Sequence, residues 1–223
     1  VHSGVTAILP HTGNLFRHKV LAASCVLNGF GKSVVLVQID ELGTIETPIV
    51  MTNTFGVGTA LNALTKQMLA DNPEIGDTTS TVNLIVAECN DGDVSNIRKM
   101  AITEQNVSDA LAAVNDDFEE GAVGSGRGMM CYDLKGGIGS SSRIVTVDKK
   151  HQYTVGALVM TNYGYLTDFI VNGMPIGAPL AKMLAKDKQK EEKGSIITIL
   201  ATDAPLNARQ LKRMAKRCLF YTT

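Results

Sequence analysis

Gly194-Ser195-Ile196-Ile197-Thr198-Ile199-Leu200-Ala201-Thr202-Asp203-Ala204-Pro205-Leu206 is a short apolar, β-branched run that opens on a glycine–serine pair and ends on a proline-containing turn. Its apolar residues run nearly without interruption, the pattern of a strand covered on both faces. Directly before it stands KDKQKEEK, Lys186 to Lys193, a charge run that read alone is a solvated face or a flexible loop. Working outward, similar runs predict strands at Val34–Ile39, Pro48–Met51, Val82–Ala87, Ile144–Val147 and Tyr153–Met160. Helical spacing recurs between them. Thr59–Ala70 groups Ala60, Leu61, Leu64, Met68 and Leu69, and Thr103–Phe118 groups Val107, Ala110, Leu111, Val114 and Phe118 behind a Thr103 cap. A last helix at Asn207–Leu219 carries Leu211, Met214, Ala215, Cys218 and Leu219 on one face, so the class is α/β or α+β.

The chain has 223 residues, a formal charge of −1, 44% hydrophobic residues and no tryptophan. A chain of this size can bury roughly 70% of its unfolded surface, enough for a real core. A balance so near neutral offers no clustered positive field for nucleic acid or an anionic membrane, and no apolar run approaches the ~20 residues of a membrane helix. The four cysteines, Cys25, Cys89, Cys131 and Cys218, stand singly, which suggests neither a zinc ribbon nor a disulfide framework. A reducing, cytoplasmic setting is the expectation. Val1–Pro10 lacks a signal peptide's features and an initiator methionine, pointing to a processed, trimmed or incomplete chain.

Several familiar motifs fail on their spacing. Gly29-Phe30-Gly31-Lys32-Ser33 resembles the end of a phosphate loop, but Val26 occupies the position that needs glycine, so a turn entering the Val34 strand is the better reading. Gly124-Ser125-Gly126-Arg127-Gly128 lacks both the dinucleotide spacing and a preceding strand. His2, His11, His18 and His151 form no metal-binding pair, and no GxSxG elbow is present, so neither a metal nor another cofactor is implied. The basic residues Arg209, Lys212, Arg213, Lys216 and Arg217 read as a solvated helix face. Dense glycine and hydroxyl stretches remain at Thr52–Gly58 and Lys135–Arg143, where backbone can approach a ligand or other backbone closely.

Together these segments resemble the autoprocessed serine aminopeptidases of peptidase family S58, the L-aminopeptidase D-Ala-esterase/amidases and β-peptidyl aminopeptidases. The resemblance is carried in order along nearly the whole chain. Its segments are Gly4–Pro10, Glu41–Ile49, Thr52-Asn53-Thr54, Glu88-Cys89-Asn90-Asp91-Gly92, Lys135–Gly139, Thr161-Asn162-Tyr163-Gly164, Gly194–Ile197 and Ala201–Leu206. It implies a layered αββα sandwich of the aminopeptidase and ornithine acetyltransferase type. Residues 1–223 would be a single domain, an incomplete version of the family's, with 1–194 the α-chain part and 195–223 the start of the β chain. Cleavage between Gly194 and Ser195 would follow attack of the serine hydroxyl on the preceding carbonyl, which Gly194 leaves open. The KDKQKEEK loop would give the new end room to move.

The same resemblance makes Ser195 the nucleophile, its freed amine (reference pKa near ~8) a base or orienting group, and Asn162 an oxyanion donor, a role worth about 3 kcal/mol elsewhere. Glu88 would grip the substrate's amino group, against the plainer reading that it caps the Asn90-Asp91-Gly92 turn. The expected substrate is a small peptide or an amino acid amide or ester, and the expected partners are the protein's own β chain and further copies in a homo-oligomer. Asp93 stands where members of the family often place a tyrosine that donates to the oxyanion, and the family's β chain runs on past Thr223 to a further serine and an acidic residue. Two alternatives follow: a catalytically silent relative or fragment acting as a structural or binding module, and an acyltransferase of the ornithine acetyltransferase kind, which uses threonine instead.

Overall fold

The computed structural model describes residues 2–184 and 194–218. Two of its apolar runs become strands buried along their whole length. Thr6–Ile8 (β1) pairs antiparallel with Ile49–Asn53 (β2), and Ile85–Cys89 (β3) lies parallel on the other side of β2. Parallel neighbours require a crossover. Here it contains Val57–Asp71 (α2), which follows a shorter helix at Leu36–Leu42 (α1). Ala60, Ala63, Leu64 and Met68 of α2 bury against Val50 and Val86, and Val107 of Glu104–Ala112 (α3) completes that core. Helix α3 starts where Thr103 predicts, through a reciprocal capping box between Thr103 and Asn106.

A second sheet is antiparallel throughout. Gly137–Thr146 (β4) pairs with Gln152–Asn162 (β5), which pairs in turn with Ser195–Thr202 (β6). Met51, Ala87 and Cys89 of the first sheet pack on Ile138 and Met160 of the second, with Met129 between them and Leu158, Ile197 and Ile199 at the margin. The result is the layered α/β arrangement: helices α2 and α3, then one sheet, then the other. Two further helices follow, Gly177–Met183 (α4) and Ala208–Cys218 (α5), the latter with Leu211, Met214, Ala215 and Cys218 half-buried. The stretch 186–193, expected as the loop before the cleavage site, lies outside the described residues.

The strand expected at Val34–Ile39 is instead the approach to α1. Val34 N donates to Val86 O at 2.9 Å, but Val35 then adopts a left-handed φ of 81°, which ends any ladder, and the chain turns into the helix. Ile39 gains burial among Ile45, Ile49 and Ile85, and that tertiary contact overrides the β preference of the valines. The turn at 29–33 therefore leads into α1 and not into a strand. Helix α3 ends at Ala112, well short of Phe118, which is exposed. The Ile144–Val147 run extends β4 at the projecting end of the β4–β5 hairpin, where Ile144 is 70% exposed instead of covered.

One buried carboxylate ties the start of β2 to the approach of β3. Glu46 is 2% exposed, pairs with Lys19, and accepts Asn83 N at 2.8 Å and Asn83 Nδ2 at 3.0 Å. Burial alone would raise its pKa, but the Lys19 ammonium and the two Asn83 donors outweigh burial and hold it below the ordinary carboxylate value. A folded-state pKa lower than the unfolded one stabilises the protein above the unfolded value, and that stability disappears as pH falls through the folded value. Glu46→Ala is expected to lower unfolding free energy at neutral pH by about 2–3 kcal/mol, because buried donors lose their acceptor. Urea unfolding at pH 7 and at pH 3 checks it: the difference between variant and wild type shrinks at the acid end.

Candidate active site

The antiparallel register of β5 and β6 sets Ser195, the first residue of β6, directly opposite Asn162, the last of β5. The two side chains meet, with Asn162 Nδ2 donating to Ser195 Oγ at 3.1 Å. The same nitrogen donates to Asn90 O at 3.0 Å, while Asn162 Oδ1 accepts from Met130 N at 3.0 Å. Exchanging the amide oxygen and nitrogen would face donor with donor at Met130 and acceptor with acceptor at Asn90, so the network admits one orientation. An N–H fixed in this way beside a hydroxyl is placed to stabilise negative charge on an oxygen of the carbon that the hydroxyl attacks. Gly194, whose carbonyl precedes Ser195, is exposed.

The turn that presents Asn90 O is anchored from below by a buried polar cluster. Asn53 Nδ2 lies 3.1 Å from each carboxylate oxygen of Asp91, and Ser3 Oγ donates to the same carboxylate. Asn53 Oδ1 accepts Gly56 N at 2.8 Å, which caps the turn into α2. Asp91 and Asn53 are 1% and 2% exposed, so their polar atoms depend on one another for partners. On the other side, Tyr163 packs beside Tyr132 with the rings tilted by 58° and their centroids 5.5 Å apart, and Tyr132 N donates to Tyr163 O at 2.8 Å. Burial, followed by the neighbouring Tyr132 hydroxyl, pushes the Tyr163 phenol upward. Gly164 has φ 91°, and a Cβ there would lie 2.6 Å from Tyr132 Cδ1; glycine is what allows the ring to close over the end of β5.

Cys89, at the end of β3, faces the second sheet. Its thiol is wholly buried and donates toward Met160 O at 3.9 Å. Burial, more than any other influence, pushes the thiol up to about 12. No spacing signal marks this cysteine, because the carbonyl it faces belongs to a strand seventy-one residues further on.

Of the residues singled out from sequence, Ser195, Gly194 and Asn162 come together, and Glu88 stands apart. Strand alternation turns Glu88 to the face opposite Cys89. There it accepts Lys32 N at 2.8 Å on one oxygen and the Thr54 hydroxyl on the other, and it is 6% exposed. Nor does it cap the 90–92 turn, where Asn90 Oδ1 accepts Gly92 N at 2.8 Å. Asp93 is exposed, so its charge is solvated and screened instead of facing inward. Among the described residues, no three His, Cys, Asp or Glu side chains gather as metal ligands, and no helix is long and apolar enough to cross a membrane.

Comparison with known proteins finds relatives along the length of this chain. The family model for peptidase family S58 matches residues 1–220. Beta-peptidyl aminopeptidase BapA of Sphingosinicella microcystinivorans is 37% identical, over 97% of this chain and 57% of its own length. A crystal structure of a Pyrococcus horikoshii protein superposes with a TM-score of 0.91 at 49% identity, covering 98% of this chain and 60% of that one. The L-aminopeptidase D-Ala-esterase/amidase of Ochrobactrum anthropi, described as a prototype of the serine aminopeptidases and a variant of the Ntn hydrolase fold, superposes with a TM-score of 0.86 at 35% identity. It is covered over 59% of its length, for 97% of this chain. The chain thus spans less than two thirds of each of these relatives.

Proposed function

The chain belongs to peptidase family S58, and from that premise we propose that the protein is an N-terminal-serine aminopeptidase that first cuts itself between Gly194 and Ser195. The observation that carries the proposal is the 3.1 Å hydrogen bond from the Asn162 amide to Ser195 Oγ, at the start of a strand and directly after an exposed glycine. In the first reaction the serine oxygen attacks the Gly194 carbonyl carbon, the C–N bond breaks with the nitrogen taking a proton, and water hydrolyses the resulting ester. The products are a glycine carboxylate and a free α-amine on Ser195.

That amine then does the work a histidine does elsewhere. With a reference pKa near ~8 it is partly neutral at working pH and accepts the hydroxyl proton as Oγ attacks substrate. The tetrahedral oxyanion takes a hydrogen bond from Asn162, the departing amine takes the proton, and water releases the acyl group. Substrates are small peptides, amides or esters with a free N-terminal amino group, and the cleaved pair associates as a homo-oligomer. Mass spectrometry of denatured full-length protein tests the first step, where a shorter chain beginning Ser-Ile-Ile-Thr is expected. Hydrolysis of amino acid p-nitroanilides tests the second.

Glu88 is the proposed grip for the substrate ammonium. Its carboxylate lies near the end of β3, the strand that runs into the turn presenting Asn90 O to the Asn162 amide. Each of its oxygens already accepts one hydrogen bond and has a lone pair left for a cation. Glu88→Gln is expected to raise KM for free-amine substrates by roughly tenfold, the size of a lost charge-assisted contact, with kcat changed less. Steady-state kinetics decide this, and an unchanged KM removes Glu88 from the binding site.

A further inference from the structure

Lys135 forms no ion pair among the described residues, yet its ammonium is fully engaged. A tight hairpin sets it in place. Met130-Cys131 pairs antiparallel with Leu134-Lys135 around Tyr132 and Asp133, at φ 53° and 56°, the positive values that two-residue hairpin turns use. Lys135 thus lies opposite Met130, and its Nζ turns back to donate to Gly126 O at 2.9 Å, Met129 O at 2.8 Å and Gly136 O at 2.6 Å. Burial lowers its pKa from the usual lysine value, but three carbonyls call for three protons, which only the ammonium carries. Gly136 N adds a second donor to Met129 O at 3.0 Å.

The Met129 carbonyl belongs to the same planar, trans peptide group as the Met130 N–H, so the two point in opposite directions. Donors fixed on the oxygen therefore fix the direction of the N–H, which donates to Asn162 Oδ1 at 3.0 Å. A charge-assisted bond at the oxygen also polarises the peptide and makes its N–H a stronger donor. The side-chain amide of Asn162 repeats the arrangement, accepting on Oδ1 and donating from Nδ2 to Ser195 Oγ at 3.1 Å. Cation, peptide group and side-chain amide thus stand in one series that ends at the serine oxygen. We propose that Lys135 is a positioning residue for the oxyanion donor, its ammonium acting through the Met129–Met130 peptide group to aim and polarise the Asn162 amide. The proposal rests on Ser195 being the nucleophile and Asn162 its oxyanion donor.

Lys135→Met in the full-length protein keeps the stem and removes the charge. It is expected to slow self-cleavage, and to lower kcat of the cleaved enzyme, by roughly ten- to a hundredfold, the penalty of a misaimed group, while KM stays within about twofold. In an Asn162→Ala background the same substitution is expected to cost less than about twofold in kcat, because the group it aims is gone. Melting temperature is expected to fall in both backgrounds, which separates packing from aim. A full loss of kcat in both backgrounds, or in neither, overturns the proposal. A second measurement needs no variant of Lys135. In protein carrying ¹⁵N-lysine and carbonyl-¹³C methionine, magnetic resonance is expected to show a lysine ammonium in slow exchange with water and coupled through its hydrogen bond to a methionine carbonyl. Absence of that coupling overturns the contact. A wild type that neither cleaves nor turns over fails the nucleophile assignment, and undiminished kcat in Asn162→Ala alone fails the oxyanion assignment; the coupling still decides the Lys135 contact in either case.

Discussion

Ser195→Ala is expected to leave one uncut chain and to remove aminopeptidase turnover by a factor on the order of 10⁵–10⁶, the loss that follows deletion of a nucleophile in other serine hydrolases. The two effects have one origin. Without Oγ nothing attacks the Gly194 carbonyl, and without cleavage no α-amine exists to act as base. Folding should survive the change: Ser195 pairs with Asn162 through the backbone ladder of β5 and β6, which a methyl side chain leaves intact. Denaturing mass spectrometry reads the chain count, and p-nitroanilide hydrolysis reads turnover. In the wild type, kcat/KM should rise as pH climbs through the amine's pKa, near ~8 before any environmental shift, because only the neutral amine accepts a proton. Residual turnover above a thousandth of wild type in Ser195→Ala would move the nucleophile elsewhere.

Asn162→Ala carries the second large effect, a fall in kcat of about 10²–10³, the range for removing one oxyanion donor. Because Asn162 also accepts Met130 N and donates to Asn90 O, alanine leaves a backbone N–H and a carbonyl without these partners, and melting temperature is expected to drop as well. Asn162→Asp sharpens the assignment. It keeps an acceptor for Met130 N but sets a carboxylate oxygen against Ser195 Oγ and the Asn90 carbonyl, so its kcat should fall further than that of the alanine variant, with a stability loss of its own. Steady-state kinetics beside thermal unfolding distinguishes these outcomes. Equal kcat in Asn162→Ala and wild type would assign the amide to structure alone.

Legibility along this chain followed how local the cause of each feature was. Thr103 announces α3 because its cap bond closes within three residues, and the apolar runs at Ile49–Met51 and Ile85–Ala87 announce buried strands because neighbours on either face are all apolar. The pairing of Ser195 with Asn162 was recognisable through a resemblance that runs the length of the chain, although 33 positions separate the two side chains. Val34–Ile39 misled because β-branched content favours a strand, while the burial of Ile39 against Ile45, Ile49 and Ile85 rewards a helix that no local count includes.

Glu88 shows a subtler limit. Its motif neighbours Asn90 and Asp91 support the Asn162 amide beside Ser195, yet period-two alternation sends the Glu88 carboxylate to the face opposite Cys89, toward Lys32 and Thr54. Residue order and type were enough to establish the layered α/β class, the family and the glycine–serine pair at the head of β6, since these depend on patterns that chain neighbours carry themselves. Only the packed structure decided which groups surround the serine oxygen. The Asn162 amide reaches it, held in turn by Asn90 O, whose turn the Asn53–Asp91 pair anchors from the first sheet, and the two sheets meet only when their apolar faces are buried together.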